Sequence, residues 1–193
     1  IEGPTGFAAV FANPSNLPAA TERLGEHYEI TGNAYKPYPA GIVNHAAIDA
    51  CLQVAAEPGY DAAAVDRVEL RLHPLAVELC NRPDPKDRMQ AIVSVQHWAA
   101  ASLVFRAAGL QQGNDGSVRN PAVVAMRRRI SIADDSALAS DAAAVTLVLK
   151  DGRRLKAHVA HCRGSLARPM SDDDLSVKFR GQAELVLSPP QSE

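Results

Sequence analysis

The strongest constraint on the fold is a period-two alternation of apolar residues in the C-terminal half. Every second residue is apolar in 145–149 and again in 155–159, and Asp151-Gly152 lies between the two runs. An Asp-Gly pair between two alternating runs predicts a β-hairpin with one buried face. We therefore expect an antiparallel sheet that needs other elements to cover one of its faces.

Helical patterns supply that cover. Apolar residues recur with helical spacing in 42–56, and 87–108 is a long helix, apolar on most sides, that Gly109 closes. A further alternation predicts a strand at 68–72, and 130–132 is a short strand directly after a helix at 121–128. The elements do not follow a regular βαβ order, so we predict a small α+β domain in which an antiparallel sheet packs against helices.

The two ends of the chain are predicted to be peripheral. Short helices at 7–12 and 17–24 and an extended stretch at 28–35 form a lead-in, 1–35, to a single domain that occupies 1–193. Ser171 is an N-cap that starts a last helix at about Asp172, and a tail follows at 180–193. Because the sequence opens on isoleucine, we expect it to be an excised piece of a longer chain.

Composition excludes several classes of protein. The net charge is −2 and the longest basic run is only Arg127-Arg128-Arg129, so nucleic acid is not an expected partner. Polar residues interrupt the apolar stretch 91–108, which argues against a membrane span. No secretion signal is recognisable, so the cytoplasm is the expected location. The three cysteines are far apart and lack zinc-ligand spacing, which predicts neither a disulfide framework nor a metal site.

A few polar residues could carry chemistry. Lys36 begins a stiff extended strap, Lys36-Pro37-Tyr38-Pro39, because each proline disfavours helical geometry in the residue before it. Four polar residues lie in apolar helical runs: His45, Ser94, Gln96 and His97. A polar side chain in such a position must be hydrogen-bonded or have a functional role. Each has an alternative interpretation: a solvated lysine for Lys36, and hydrogen-bonded interior side chains for the others.

A basic cluster near the hairpin is another candidate. Four residues of 157–169 could form an anion-binding rim: His158, His161, Arg163 and Arg168. The alternative is an exposed strand end. Neither a glycine-rich phosphate loop nor a Gly-x-Ser-x-Gly nucleophile elbow is present, so a hydrolase is not predicted.

Short motifs in a fixed order carry a family resemblance. In sequence order they are Glu2-Gly3-Pro4, Gly6-Phe7, Lys36-Pro37-Tyr38-Pro39, His45, Ile48-Asp49-Ala50, the stretch 94–98, Gly164, Arg168-Pro169-Met170, Asp174-Leu175 and Lys178-Phe179. Together they resemble the MmgE/PrpD family over nearly the whole chain. The resemblance implies the smaller α+β domain of a two-domain enzyme, a lid over a cleft, with the large N-terminal helical domain absent here.

The resemblance also implies a function. It indicates a homodimeric lyase that needs no cofactor and acts on di- or tricarboxylates, most simply a hydro-lyase that dehydrates 2-methylcitrate in propionate catabolism. Decarboxylation, or epimerisation or isomerisation of an acidic substrate, are alternatives on the same scaffold. A domain that only binds a small molecule, or another protein, is an alternative from a different class.

Residue roles follow from the same resemblance. Lys36, His45 and His97 are the implied catalytic residues, and Tyr38, Ser94, Gln96 and Arg163 are the implied substrate-binding residues. Ala40-Gly41 depart from the cysteine or histidine that many relatives have after the strap. The histidine, aspartate and lysine of the helical domain are also missing, so this domain alone should not turn over substrate. We further expect the helices at 42–56 and 87–108 to leave apolar area exposed where that domain docks.

Overall fold

The computed structural model describes residues 3, 5–11, 16–188 and 191. The chain forms two compact units, Ile1–Asn33 and Ala34–Glu193. In the first unit, helix α1 (Phe7–Phe11) confirms one of the two lead-in helices, while Ala12, Asn13 and Pro14 lie outside the described residues.

Two predictions in the first unit are wrong. The expected helix at 17–24 is a single 3₁₀ turn, Leu17–Ala20, because Arg23 and Gly25 adopt positive φ and cannot continue a helix. The stretch expected to be extended contains another 3₁₀ turn, Glu29–Gly32. There the Thr31 hydroxyl donates a hydrogen bond of 2.7 Å to the Tyr28 carbonyl and closes the turn.

The second unit is built on a four-stranded sheet. Its strands are β1 (Val65–Leu72), β2 (Ile130–Asp134), β3 (Ala143–Leu149) and β4 (Arg154–Val159), arranged in the order β2-β1-β3-β4. The predicted hairpin is confirmed as β3 and β4, with Leu147 opposite Leu155. Strand β1 is antiparallel to β3 but parallel to β2, so the sheet is mixed and mostly antiparallel. The α+β prediction is confirmed.

The described residues of this unit also form seven α-helices. They are α2 (His45–Ala55), α3 (Pro74–Cys80), α4 (Arg88–Ile92), α5 (Val95–Phe105), α6 (Asp115–Arg119), α7 (Pro121–Arg127) and α8 (Asp172–Ala183). Helix α2 contacts β3, β4 and α5, and α5 also contacts α7. Alternate residues of β1 point into this core, so Val68, Leu70 and Leu72 are buried. Helices α3 and α6 were not predicted.

The long helix expected at 87–108 is interrupted. Ser94 has extended backbone angles and caps α5, its hydroxyl accepting a 3.0 Å hydrogen bond from the His97 amide. The same hydroxyl donates a 2.6 Å hydrogen bond to the Arg82 carbonyl. The serine thus satisfies a helix-end donor and ties the break to a neighbouring loop. Helix α5 ends at Phe105, before the expected Gly109, because Arg106 is left-handed with φ 53°.

The apolar surface expected at 42–56 and 87–108 is limited to a few side chains, of which Ile42, Met89 and Phe105 are exposed. The apolar residues of α2 and α5 are largely buried, since the sheet and α7 cover them. In the second unit, further exposed apolar side chains lie on α8, none of whose residues is fully buried, and in the chain segments before and after it: Leu166, Val177, Phe179, Leu185 and Val186. The prediction was therefore only partly right, because most of this helix surface packs against strands or against other helices.

Two further observations concern the described part of the chain. None of its helices combines the length and apolar character needed to cross a lipid bilayer. Its three cysteines, Cys51, Cys80 and Cys162, are unpaired and buried.

Candidate functional site

A cleft of about 500 Å³ opens in the second unit between the strap, the loop at 109–112 and α8. Its lining contains three cations, Lys36, Arg163 and Lys178, and a single carboxylate, Asp174, among the residues that the structure describes. Apolar side chains complete the wall, including Leu110, Met170, Val177 and Leu185. The cleft therefore combines three cations with apolar side chains, a lining that suits a small organic anion.

The strap is held from two sides. The Gly41 amide donates a 2.9 Å hydrogen bond to the Ile92 carbonyl at its C-terminal end. Near its start, Gly164 has φ +82°, and a Cβ there would lie 2.1 Å from the Tyr35 carbonyl oxygen. Only glycine permits this approach. Lys36 is consequently presented at the rim, with its Nζ 3.5 Å from the Ala40 carbonyl oxygen.

A buried carboxylate on α2 organises the floor beneath the strap. Asp49 is 5% exposed and accepts a hydrogen bond from the Tyr38 hydroxyl. Its second oxygen accepts from the Arg163 amide at 2.6 Å and from the Arg168 guanidinium at 3.1 Å. One carboxylate thus joins the strap, α2 and the loop that carries Arg163. Burial, followed by the nearby Asp49 charge, raises the pKa of Tyr38 far above its usual value, so this phenol stays protonated.

Arg163 reaches from that loop to α8. Its guanidinium pairs with Asp174, and both side chains are about one-third exposed. Asp174 also accepts a 3.1 Å hydrogen bond from the Ser171 amide, while the Ser171 hydroxyl accepts from the Asp174 amide. This capping box confirms the predicted start of the last helix. The hydrogen bond from the Ser171 amide, followed by the hydrogen bond from the Arg163 guanidinium, holds the pKa of Asp174 below its usual value.

His45 lies under the strap at the start of α2. Its ring is fully buried and meets the Tyr38 ring edge-on, with 5.5 Å between ring centroids. Neither ring nitrogen makes a well-aligned hydrogen bond within the described residues, although the Ala40 backbone interacts with the ring and opposes the effect of burial on its pKa. Burial lowers the pKa of His45 to about 4, and the positive charges of Lys36 and Lys178 act in the same direction. The imidazole is therefore neutral at neutral pH.

His97 supports the cleft from behind. Its Nε2 lies 2.8 Å from the carbonyl oxygen of Gln112, a residue that lines the cleft. The ring itself is fully buried, and burial lowers its pKa. In this geometry His97 positions the loop at 109–112 and is not itself a lining residue.

Ser94 and Gln96 lie elsewhere. Ser94 bonds the Arg82 carbonyl, as described above, and the Gln96 side chain accepts from the Arg82 amide at 3.1 Å and donates to Asn81 at 2.6 Å. Both side chains have structural partners, and neither lines the cleft. Of the seven residues named from the sequence, the structure brings Lys36, Tyr38 and Arg163 together at the cleft, with His45 just below Tyr38.

The basic cluster expected to form one rim is divided. Arg163 lines the cleft and Arg168 binds Asp49, but the His161 ring pairs with Asp141 at 2.9 Å. His158 lies with Glu69, Arg71 and Lys156 on the outer face of the sheet. The division arises because only His158 lies in β4, while His161, Arg163 and Arg168 lie in the loop that follows the strand.

Three residues of the site were not among the sequence-predicted site residues. Asp49 could have been flagged, because a carboxylate on an apolar helical face must find partners when it is buried. Asp174 and Lys178 were noticed only as helix-start and family residues. No local signal places Asp174 and Lys178 at the cleft, because their position there depends on α8 folding back towards the strap.

The structure so far defines an α+β domain with a cleft lined by three cations and one carboxylate among the described residues. The chain belongs to the MmgE/PrpD family, because the family's C-terminal domain model matches residues 38–193. Among its relatives is cis-aconitate decarboxylase of Mus musculus, 27% identical over 198 residues that cover 95% of this chain and 39% of the relative. The Homo sapiens protein of the same name is 26% identical over 196 residues, 95% of this chain and 40% of its own. The chain thus spans about two fifths of the length of these relatives. The match to the family's C-terminal domain confirms the resemblance found in the sequence.

Proposed function

We propose that this chain is the substrate-binding lid domain of a lyase that acts on di- or tricarboxylates. The observation that carries the proposal is the cleft in which Lys36, Arg163 and Lys178 face a single carboxylate. Cations arranged in this way suit a ligand with more than one carboxylate, and the family membership supports lyase chemistry.

The cleft offers what such a reaction demands. In a dehydration, a base removes the proton next to a carboxylate, the electron pair forms a double bond, and hydroxide leaves as water after it is protonated. In a decarboxylation, the bond to one carboxylate breaks, CO₂ leaves, and the remaining electron pair takes up a proton. Both routes develop negative charge beside a carboxylate, where a fixed cation stabilises the transition state most.

Within this scheme, Lys36 and Lys178 hold a substrate carboxylate, and Arg163 holds a second one. His45 is the candidate proton acceptor, because its lowered pKa keeps it neutral near pH 7. Its ring is fully buried, so it meets a substrate only if the strap above it moves. The remaining acid–base groups would come from the helical domain and from a homodimer partner, both of which are part of the proposal.

The particular reaction is also a proposal. Dehydration of 2-methylcitrate is the first candidate, from the family resemblance. Decarboxylation of cis-aconitate is the second, because two relatives carry that name. Epimerisation or isomerisation of an acidic substrate requires the same carboxylate binding and ranks behind them.

The test is turnover by the natural protein that carries this domain. Each substrate is supplied separately, and alkene formation from 2-methylcitrate and CO₂ release from cis-aconitate are followed. Lys36→Met should lower kcat at least about 100-fold, the effect of removing a group that stabilises transition-state charge. Lys150→Met, an exposed lysine on the β3–β4 turn, is the matched control and should leave turnover unchanged.

The two readouts separate the candidates. Turnover of one substrate identifies the reaction. Turnover of neither substrate would favour the non-catalytic binding alternative. Equal activity of the Lys36→Met and Lys150→Met proteins would remove Lys36 from the mechanism.

A further inference from the structure

Helix α8 forms a wall of the cleft but is weakly embedded in the domain. None of its side chains is buried, and Val177 and Phe179 are 68% and 63% exposed. Val177, Lys178 and Gln182 nevertheless line the cleft. The wall therefore depends on specific contacts rather than on core packing.

The contact at its N-terminal end is the Arg163–Asp174 pair. Both partners line the cleft, so the bond lies within the ligand space and not behind it. The backbone of Arg163 is fixed separately, because its amide bonds the buried carboxylate of Asp49. The guanidinium can therefore change partner without loss of its anchor.

Asp174 has the chemistry of a substrate group. It is a carboxylate paired with a cleft cation, and it is the one acid among the described lining residues. A partly exposed ion pair is weak, so a second carboxylate in the cleft can displace it. Asp174 also keeps a partner when it is displaced, since it still accepts from the Ser171 amide.

We propose that Asp174 is a specificity-determining residue that competes with a substrate carboxylate for Arg163. This inference rests on the proposed function, because it requires an anionic ligand in the cleft. A ligand with one carboxylate binds at Lys36 and Lys178 and leaves the Arg163–Asp174 pair intact. A ligand with two or more displaces Asp174 and frees the start of α8 from the loop that carries Arg163.

The test is calorimetric titration of the natural protein with tricarballylate, a saturated tricarboxylate without a hydroxyl group to eliminate. Asp174→Asn removes the competing charge while its amide oxygen can still accept from the Ser171 amide. Asp173→Asn removes the same charge one residue away, at an exposed position outside the cleft lining. Ser171→Ala breaks the helix cap and keeps the Asp174 charge.

We expect Asp174→Asn to bind tricarballylate roughly two- to fivefold more tightly than the wild type, as loss of a weak competing ion pair predicts. Asp173→Asn and Ser171→Ala should bind like the wild type. Binding by Asp174→Asn that is unchanged or weaker, or equal tightening in Asp173→Asn, would overturn the competition and leave the proposed function standing. Absence of binding in the wild type and all variants would overturn the proposed function, and this inference with it.

Discussion

Tyr38 in the strap donates its hydroxyl hydrogen bond to Asp49 in α2, so a buried carboxylate holds the cleft rim to the domain core. The same carboxylate accepts from the Arg163 amide and the Arg168 guanidinium. Because the strap and the loop that carries Arg163 both depend on Asp49, the stability of the domain and the shape of its site are coupled. This coupling leads to the first prediction.

Asp49→Ala should lower the free energy of unfolding by about 3 kcal/mol, because it leaves the Tyr38 hydroxyl and the Arg163 amide without an acceptor. Tyr38→Phe removes one donor of the same network and should cost about 1 kcal/mol. Urea unfolding of the 193-residue chain measures both. Equal midpoints for the two variants would contradict the central role of Asp49.

His45 predicts a dependence of stability on pH. Its folded pKa of about 4 lies below the ordinary value of 6.5, so the unfolded chain binds more protons between these values. Its contribution is fully present above pH 6.5 and is lost as the pH falls towards 4. Between pH 7 and pH 5 the loss should be about 2 kcal/mol.

His45→Gln is the variant that tests this dependence. Urea midpoints at several pH values should fall less steeply below pH 6.5 in the variant than in the wild type. A residual slope is expected, because burial also lowers the pKa of His97. Identical slopes in the two proteins would show that His45 is not buried as a neutral ring.

Gly164 predicts a steric effect on the strap. Gly164→Ala should cost about 3 kcal/mol, the sum of a left-handed alanine and a collision with the Tyr35 carbonyl. Gly152→Ala is a matched control, because Gly152 has φ +87° but no atom within 4 Å of an added Cβ. It should cost only about 1 kcal/mol. If the two variants unfold at the same urea concentration, the close contact between Gly164 and the start of the strap does not require glycine.

Ser94 should behave as a structural residue. Ser94→Ala removes a buried cap and the bond to the Arg82 carbonyl, which predicts a loss of about 2 kcal/mol. Ser171→Ala, which removes the cap of the exposed α8, should cost less than about 1 kcal/mol. Neither should change tricarballylate affinity in the natural protein. If the Ser94→Ala protein is fully folded but binds tricarballylate more weakly than the wild type, Ser94 takes part in ligand binding.

Local sequence signals predicted the local structure well. The Asp151-Gly152 hairpin and the Ser171 capping box were found because each is determined by a few adjacent residues. The break at Ser94 was missed because apolar residues continue on both sides of it. A single capping serine does not interrupt the apolar periodicity from which the helix was predicted. Strand β2 was expected, but its parallel pairing with β1 depends on distant contacts.

The cleft was predicted only in part. Lys36 was recognised through its prolines and the family resemblance, and Arg163 through its basic neighbours. Asp174 and Lys178 reach the cleft only because α8 folds back towards the strap, and the sequence around them signals nothing more than a helix start. Ser94, Gln96 and His97 were grouped by their position in one apolar run, whereas the helix break directs them to other partners.

Under the proposed function, the unequal support of the two sides of the cleft bears on how substrate preference can diverge in evolution. On the side of α2, a substitution at Tyr38 or Asp49 disturbs the folded state, so those positions can change only together with their partners. On α8, Lys178 and Gln182 line the cleft without filling the core. New substrate preferences should therefore arise first by mutation along α8, at little cost to the integrity of the domain.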